Sequence, residues 1–443
     1  MAERTLVAWF DAIFPRRALF QADRRLLHLT VGRMLGSMGF AITIPFLSLY
    51  LHSERGIAMT AVGGMFFLAA LAGALSQFLG GDWADRYGRK IILVVAQAGR
   101  GVIFLGLGLA VYFDSPLYVF ALLTCGSGFF GRLFDPPSGA MIADIASGEE
   151  RAEGYGVLRI GGNLGWALGP ALGGFLAALS YASLFLVSAG VMFVSAALVA
   201  AKVRETAPWL APGAAAVPGG TRAPGGATGA VPPAQERFRL SDAAVALRDP
   251  LFLRYCIILL VFFTAMAQLM STISIYVVDW AGHSKAELGF LYSLNGLLVV
   301  FLQIPVTRAM APLRMTTQLV IGCLLYSAGY AMMGFGGAFP LLFAAMFVIT
   351  IGEIVASPPS MNMAAGFSSE AMRGRYMGTY GLFSSFGWSL GPLVGGVLLD
   401  LTRGRAPLLW GLVALIALPA AAGFWDLRRR ISPAMDRSLE DTR

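Results

Sequence analysis

The chain has 443 residues, of which 57% are apolar and 13% charged, with a mean hydropathy of +0.70. That much apolar side chain cannot be hidden inside one soluble globule, so the composition excludes a cytosolic domain and assigns the chain to a bilayer. The formal net charge of +8 raises nucleic acid as a partner, a question that the placement of the basic residues decides.

In chain order, residues 3–25 are too charged for a cleavable signal and lack a small-residue cleavage site. Trp9, Phe10, Ile13 and Phe14 set against Arg16, Arg17, Arg24 and Arg25 predict an interfacial helix within a cytoplasmic segment, 1–25. A membrane span needs about 20 apolar residues. Such runs lie near 26–50, 61–80, 91–113, 117–144, 155–178 and 184–203, and again near 252–278, 287–309, 317–337, 340–366, 374–399 and 406–425. Every backbone amide in lipid must be satisfied within the chain, so runs of this length predict helices, and the alternation of a barrel strand is missing. The expected fold is an all-α membrane protein of twelve helices. An N-terminal six-helix bundle (26–203) and a C-terminal one (250–425) are joined by a cytoplasmic linker (204–249) and followed by a cytoplasmic tail (426–443). The linker opens with a flexible Pro/Gly/Ala-rich run, Pro208 to Pro233.

Of the 33 Lys and Arg, 24 fall in the N-terminal segment, the even-numbered connections or the tail, 4 in the opposite connections and 5 inside spans. This asymmetry predicts both termini in the cytoplasm of a cell whose inner membrane holds the chain. The basic excess is therefore topological, and membrane lipid rather than nucleic acid is the expected partner surface.

Cys125, Cys256 and Cys323 lie singly inside apolar spans, with neither CxxC nor a neighbouring His. They predict small core hydrophobes, not a disulfide framework or a zinc site. His28, His52 and His283 sit apart at span ends, which argues against a His-cluster metal centre. An enzyme or sensor would need a catalytic cluster or a soluble output domain, and the sequence offers neither.

The two halves repeat. Gly156, Gly165, Gly169, Pro170, Gly173 and Gly174 recur 222 residues later as Gly378, Gly387, Gly391, Pro392, Gly395 and Gly396. In the same register Pro136, Pro137 and Ser138 fall on Pro358, Pro359 and Ser360, and Arg151 on Arg373. Glycine at every fourth position makes a smooth stripe that another helix can approach closely, and each proline removes a backbone donor and bends its helix. Membrane packing explains any one of these glycines; it does not explain a duplicated pattern.

A charged turn joins spans 2 and 3: Gly81-Asp82-Trp83-Ala84-Asp85-Arg86-Tyr87-Gly88-Arg89-Lys90. Five charges in ten residues force a short solvated turn, with Gly88 suited to positive φ. Positive-inside anchoring alone would account for such a run. Together with the Gly/Pro pattern of span 5, however, this run resembles the loop and antiporter signatures of the major facilitator superfamily, whose architecture is a twelve-span repeat. Phe134-Asp135-Pro136-Pro137 in span 4 and Gly352-Glu353-Ile354 in span 10 are similar to bacterial multidrug exporters of the drug:proton antiporter family. The corresponding turn of the second half, Thr307 to Met315, lacks the Asp-Arg-x-Gly core.

The resemblance implies that Asp85 rests against the N-terminal end of span 11, near Arg375 to Gly378, and locks an outward-facing state. Arg86 and Arg89 would pair with an acid at the end of span 4, for which Asp144 is the candidate. It further implies that spans 1, 4, 7 and 10 line a central cavity. Each charge in mid-span costs about 2.5–3.5 kcal/mol, so Arg33, Arg132, Asp135 and Glu353 need a reason. In the 222-residue register Glu353 falls on Gly131, four residues before Asp135 and on the same helix face. A carboxyl group in a dry setting resists ionisation and releases its proton to water, which is the switch proton exchange requires.

Arg132, three residues before Asp135, would hold that acid ionised or form a static pair with it, which leaves Glu353 as the stronger proton carrier. Arg100 and Arg159 are nearer the cytoplasmic ends and are expected to snorkel. Met34, Met38, Phe40 and Phe46 of span 1, Phe262, Phe263, Met266, Gln268 and Met270 of span 7, and Asn295 and Gln303 of span 8 are candidates for a polarizable cavity wall. Packing explains any one of them equally well. The resulting expectation is a monomeric, proton-coupled exporter of lipophilic or cationic small molecules, with no cofactor and the proton gradient as its energy source. A carrier of the same fold for a lysophospholipid, a siderophore or a sugar is the alternative.

Overall fold

A computed structural model describes residues 24–146, 149–207, 245–368, 372–433 and 435–437. The expected interfacial helix, the Pro/Gly/Ala-rich linker run and the end of the tail lie outside the described residues. Among those residues the chain folds into twelve long helices: α1 (Arg25–Glu54), α2 (Met59–Tyr87), α3 (Arg89–Tyr112), α4 (Leu117–Ile145), α5 (Glu149–Leu179), α6 (Tyr181–Lys202), α7 (Pro250–Trp280), α8 (Lys285–Met310), α9 (Met315–Met333), α10 (Phe339–Gly366), α11 (Gly374–Thr402) and α12 (Ala406–Arg428). Ten of them are long and apolar enough to cross a membrane. α5 and α9 have the length but a less apolar composition, because α5 spreads glycines, Asn163 and Pro170 through its apolar part and α9 opens on Thr316, Thr317 and Gln318.

The helices run past several expected span ends. α2 continues through Asp82 to Tyr87, since nothing before Gly88 breaks it, and Gly88 alone separates it from α3 at φ 98°. Only glycine takes that angle without a Cβ clash. Elsewhere starts are written locally: Asp249 caps α7 through the amides of Leu251 and Phe252, and Ser284 with Glu287 forms a capping box on α8.

The internal repeat reaches further than the Gly/Pro pattern. α1 and α7 both end in a π-helical turn, Tyr50–Glu54 and Tyr276–Trp280, and each is followed by a positive-φ glycine, Gly56 at 62° and Gly282 at 74°. These pairs are 226 residues apart, not 222. The difference is taken up at α9, which has 19 residues where α3 has 24.

Within the first half, α1 packs on α5 and α6, α2 on α4, and α3 on α4 and α6; within the second, α7 packs on α11 and α12, and α9 on α10 and α12. The glycine stripes lie at these seams. A Cβ on Gly165, Gly169 or Gly173 would meet the α1 backbone at Met34, Met38 and Ile42, and one on Gly387 or Gly391 would meet α7 at Leu260 and Ala267.

The halves touch through α2 with α11, α5 with α8, and α1 with α7. Polar contacts between the halves gather at the end where α1 finishes and α2 begins. Asp400 of α11 accepts the amides of Met59 and Thr60, at 3.1 and 2.7 Å, and the Thr60 hydroxyl at 2.6 Å. It thereby caps α2 across the seam with a carboxylate at a helix N-terminus. Ser53 donates to Asp279 (2.6 Å), and Lys285 pairs with Glu54 (3.4 Å). Toward the other end, Gly81, Gly156 and Gly381 face open space.

Candidate functional site

Between the halves lies a cavity of about 460 Å³, walled by α1 to α5 on one side and by α7, α8, α10 and α11 on the other. Its first-half wall is polar and basic, with Arg33, Gln97, Arg100, Arg132 and Asp135; its second-half wall carries Tyr292, Asn295, Glu353 and Trp388.

Asp135 sits where α4 pauses at Phe134 and restarts on Pro136 and Pro137, residues suited to the first turn of a helix. Its direct partner is Arg33, whose Nη1 donates to Oδ1 at 2.6 Å, with the Arg33 guanidinium over the Phe134 ring. Arg132, the partner expected from spacing, stands off at 3.7 Å with its side chain half exposed. Two cations from different helices therefore share one carboxylate.

Glu353 has a different setting. Its Oε2 accepts from Asn295 Nδ2 at 3.0 Å, and the same amide donates to Thr350. No ion pair to Glu353 is present among the described residues. The bonded partner of this carboxyl is thus a neutral amide and not a paired cation, with the Arg159 charge acting on it only from a distance.

Arg100 departs from expectation. Instead of snorkelling it is only 9% exposed and lies in the cavity wall. Its Nε faces the Ser127 hydroxyl at 3.4 Å, and its guanidinium lies 4.3 Å from the Phe40 ring and 5.5 Å from Phe104. It occupies the space above Gly131, where a Cβ would meet the guanidinium carbon. Gly131 is the residue that maps onto Glu353, so the two halves place opposite charge types at equivalent positions. A position counted along a span fixes depth but not face, which is why the sequence misassigned Arg100; the missing side chain at Gly131 was its one signal.

Of the other expected wall residues, Phe40, Met270 and Asn295 line the cavity. Phe46, Phe262, Met266 and Gln268 do not: they are buried in helix seams. Gln268 donates to Thr264 and Gly391 and accepts from Thr272, which ties α7 to α11. Beside the expected Met270, α7 turns Leu269 and Ser271 to the cavity. Met34 and Met38 lie where α1 meets the glycines of α5. Gln303 bonds to Thr307 and Ile354 away from the cavity wall.

The charged turn forms a separate cluster at the end where α1 begins and α12 finishes. Arg89 pairs with Asp144 and donates to the Ala140 carbonyl at 3.1 Å. Arg86, expected on the same acid, pairs with Asp82 one helical turn back at 2.8 Å. Asp85 is exposed within electrostatic reach of Arg89, and Gly81 faces open space. Sequence reading missed the strap that follows α6. Glu205 accepts the amides of Arg89 and Lys90 at 3.1 and 2.9 Å, capping α3, while Thr206 donates to Asp144 at 2.7 Å. The second half repeats the device: Asp436, after α12, takes the amide and hydroxyl of Thr316 at 2.8 and 2.6 Å and caps α9.

Burial pushes the Glu205 carboxyl up, but the amides of Ala207, Lys90, Arg89 and Thr206 outweigh it and hold the group below the usual carboxylate range. A depressed carboxyl contributes stability above its unfolded-state value and loses it as pH falls through the folded value. Glu205→Gln is thus expected to lower Tm at neutral pH, and the gap to wild type should narrow as pH drops below about 4. A thermal-shift series across pH measures it; a gap independent of pH rules the strap out as a charged cap.

The sequence model of the Major Facilitator Superfamily matches residues 29–392 and 314–441. The chain is 26% identical to the multidrug resistance protein MdtH of Salmonella arizonae, over 91% of this chain and 94% of that one. It is 24% identical to the uncharacterized MFS-type transporter YqjV of Bacillus subtilis, over 85% and 87%. Among solved structures, it superposes with a TM-score of 0.71 on a bacterial homologue of the human lysosomal transporter Spinster, inward-facing and unoccupied, at 16% identity and covering 93% of this chain and 98% of that one. A peptide-bound transporter of the POT family gives 0.74 at 14% identity, covering 95% and 99%.

Proposed function

The chain belongs to the major facilitator superfamily and is a multi-pass membrane transporter rather than an enzyme, and on that footing we propose that it exports lipophilic small molecules in exchange for protons. The observation that carries this reading is Glu353, a carboxyl group bonded to Asn295, free of any described ion pair, and facing a cavity shared by both halves. It can take a proton from one side and give it to the other as access alternates. Asp135, held by Arg33 and Arg132, supports the wall. The drug-resistance name of the Salmonella relative supports export of lipophilic cargo. We place the working unit as a monomer in an inner membrane, both termini cytoplasmic, its two six-helix bundles rocking about the cavity with no cofactor.

Reconstitution into proteoliposomes tests the proposal. An imposed pH gradient should drive efflux of a lipophilic dye, and collapsing the gradient with an ionophore should stop it. Gradient-driven movement of a lysophospholipid, a siderophore or a sugar, with dyes ignored, would replace this reading with that of a dedicated carrier.

A further inference from the structure

The cavity wall contributed by the first half carries three guanidinium groups, Arg33, Arg100 and Arg132, against one carboxylate, Asp135. Asp135 is shared by Arg33 and Arg132. Arg100 has no ion pair among the described residues: its partners are the Ser127 hydroxyl and the faces of Phe40 and Phe104. It is nine-tenths buried, and it still lines the cavity. A buried cation within a membrane span is costly and is retained where it has a partner. The partner it lacks among the described residues is a directly paired anion, Asp135 acting on it only from a distance, and a guanidinium grips an anion through two parallel N–H bonds. Beside it, Phe40, Phe66, Trp166 and Trp388 offer apolar surface.

We propose that the cavity binds amphipathic anions, a carboxylate or phosphate headgroup seated on Arg100 and an apolar body against the aromatic walls. The inference rests on the cavity being the cargo site, as read above, and it replaces the cationic cargo expected from the sequence. A cation placed here would face three guanidinium groups, with Asp135 already shared by two of them and Glu353 as the one further carboxyl of the wall.

The test uses the full chain in nanodiscs of zwitterionic lipid. Three dansyl-tagged undecyl probes differ only in their ends: carboxylate, carboxamide and ammonium. Binding is read as dansyl fluorescence above that of empty nanodiscs. The acid should bind at least about tenfold more tightly than the amide, and the amine most weakly. Arg100→Gln should erase the advantage of the acid over the amide, and Arg100→Lys should keep part of it. Equal binding of acid and amide by the wild type, no binding of the acid, or an acid preference undiminished in Arg100→Gln each overturns the proposal. Should Arg100→Gln bind no probe, the wild-type ranking alone decides. Displacement by dodecyl phosphate against lauroyl lysophosphatidate separates a free amphiphilic anion from a lipid headgroup. Loss of gradient-driven efflux with the ranking intact would sink the export reading and leave this one standing.

Discussion

Glu353→Gln is expected to abolish proton-driven export while leaving cargo binding measurable. The amide preserves the shape of the side chain and still accepts from Asn295, whose Nδ2 lies 3.0 Å from the carboxylate oxygen. What it loses is the proton. A positioned proton-transfer group is worth about 10²-fold or more, so uphill efflux should fall by at least that factor, whereas exchange of cargo down its own gradient should persist. Asp135→Asn makes the instructive contrast. It leaves Arg33 and Arg132 without their shared counter-charge, so its main expected effect is on folding. Losing one member of a buried pair costs about 3–5 kcal/mol, and less here because the Asp135 side chain is 28% exposed. Undiminished pH-driven efflux by Glu353→Gln in proteoliposomes would remove the basis for the coupling scheme.

The parts of this architecture that were legible in the sequence are those written as local chemistry. Apolar runs of span length gave the helices, because lipid leaves the backbone few other options. The Gly/Pro repeat marked the seams, because only glycine lets a Cα approach a neighbouring backbone at Gly165 or Gly391. What stayed illegible depends on helix rotation. Phe46, Phe262 and Gln268 are the right residue types for a cavity wall, yet they point into seams, and α7 shows the cavity Leu269 and Ser271 beside the expected Met270. Helices apolar all round carry little pattern to say which face is wet. Arg100 fell to the same blindness. Glu205, Asp400 and Asp436 were invisible for another reason: each caps a helix distant in sequence, and nothing local to an acid names its partner.

Closure at one end rests on two of the repeated glycines, Gly174 and Gly396. Gly174 lies against Lys285 and Gly289 of α8, and Gly396, 222 residues later, against Met59 and Thr60 of α2. Both contacts cross from one half to the other, unlike Gly173, which faces α1 within its own half. A Cβ at either position would meet a backbone carbonyl, which cannot turn aside as a side chain can. Gly174→Val or Gly396→Val should therefore leave each half folded and hold the seam apart, since the packing within halves is untouched. Forcing methyl groups into a close-packed seam costs about 1–3 kcal/mol. Set against a balance between access states of only a few kcal/mol, that shifts the population toward opening at this end. Transport should fall about tenfold or more, the factor that 1.4 kcal/mol carries. A cysteine placed at Ser271 should become reactive to a membrane-impermeant maleimide from the side that Asp400 now seals. If transport and labelling both stay at wild-type levels, the seam is not the gate. Asp400→Asn should push the same way more weakly, because its amide still reaches Thr60 but no longer brings a negative charge to the first turn of α2.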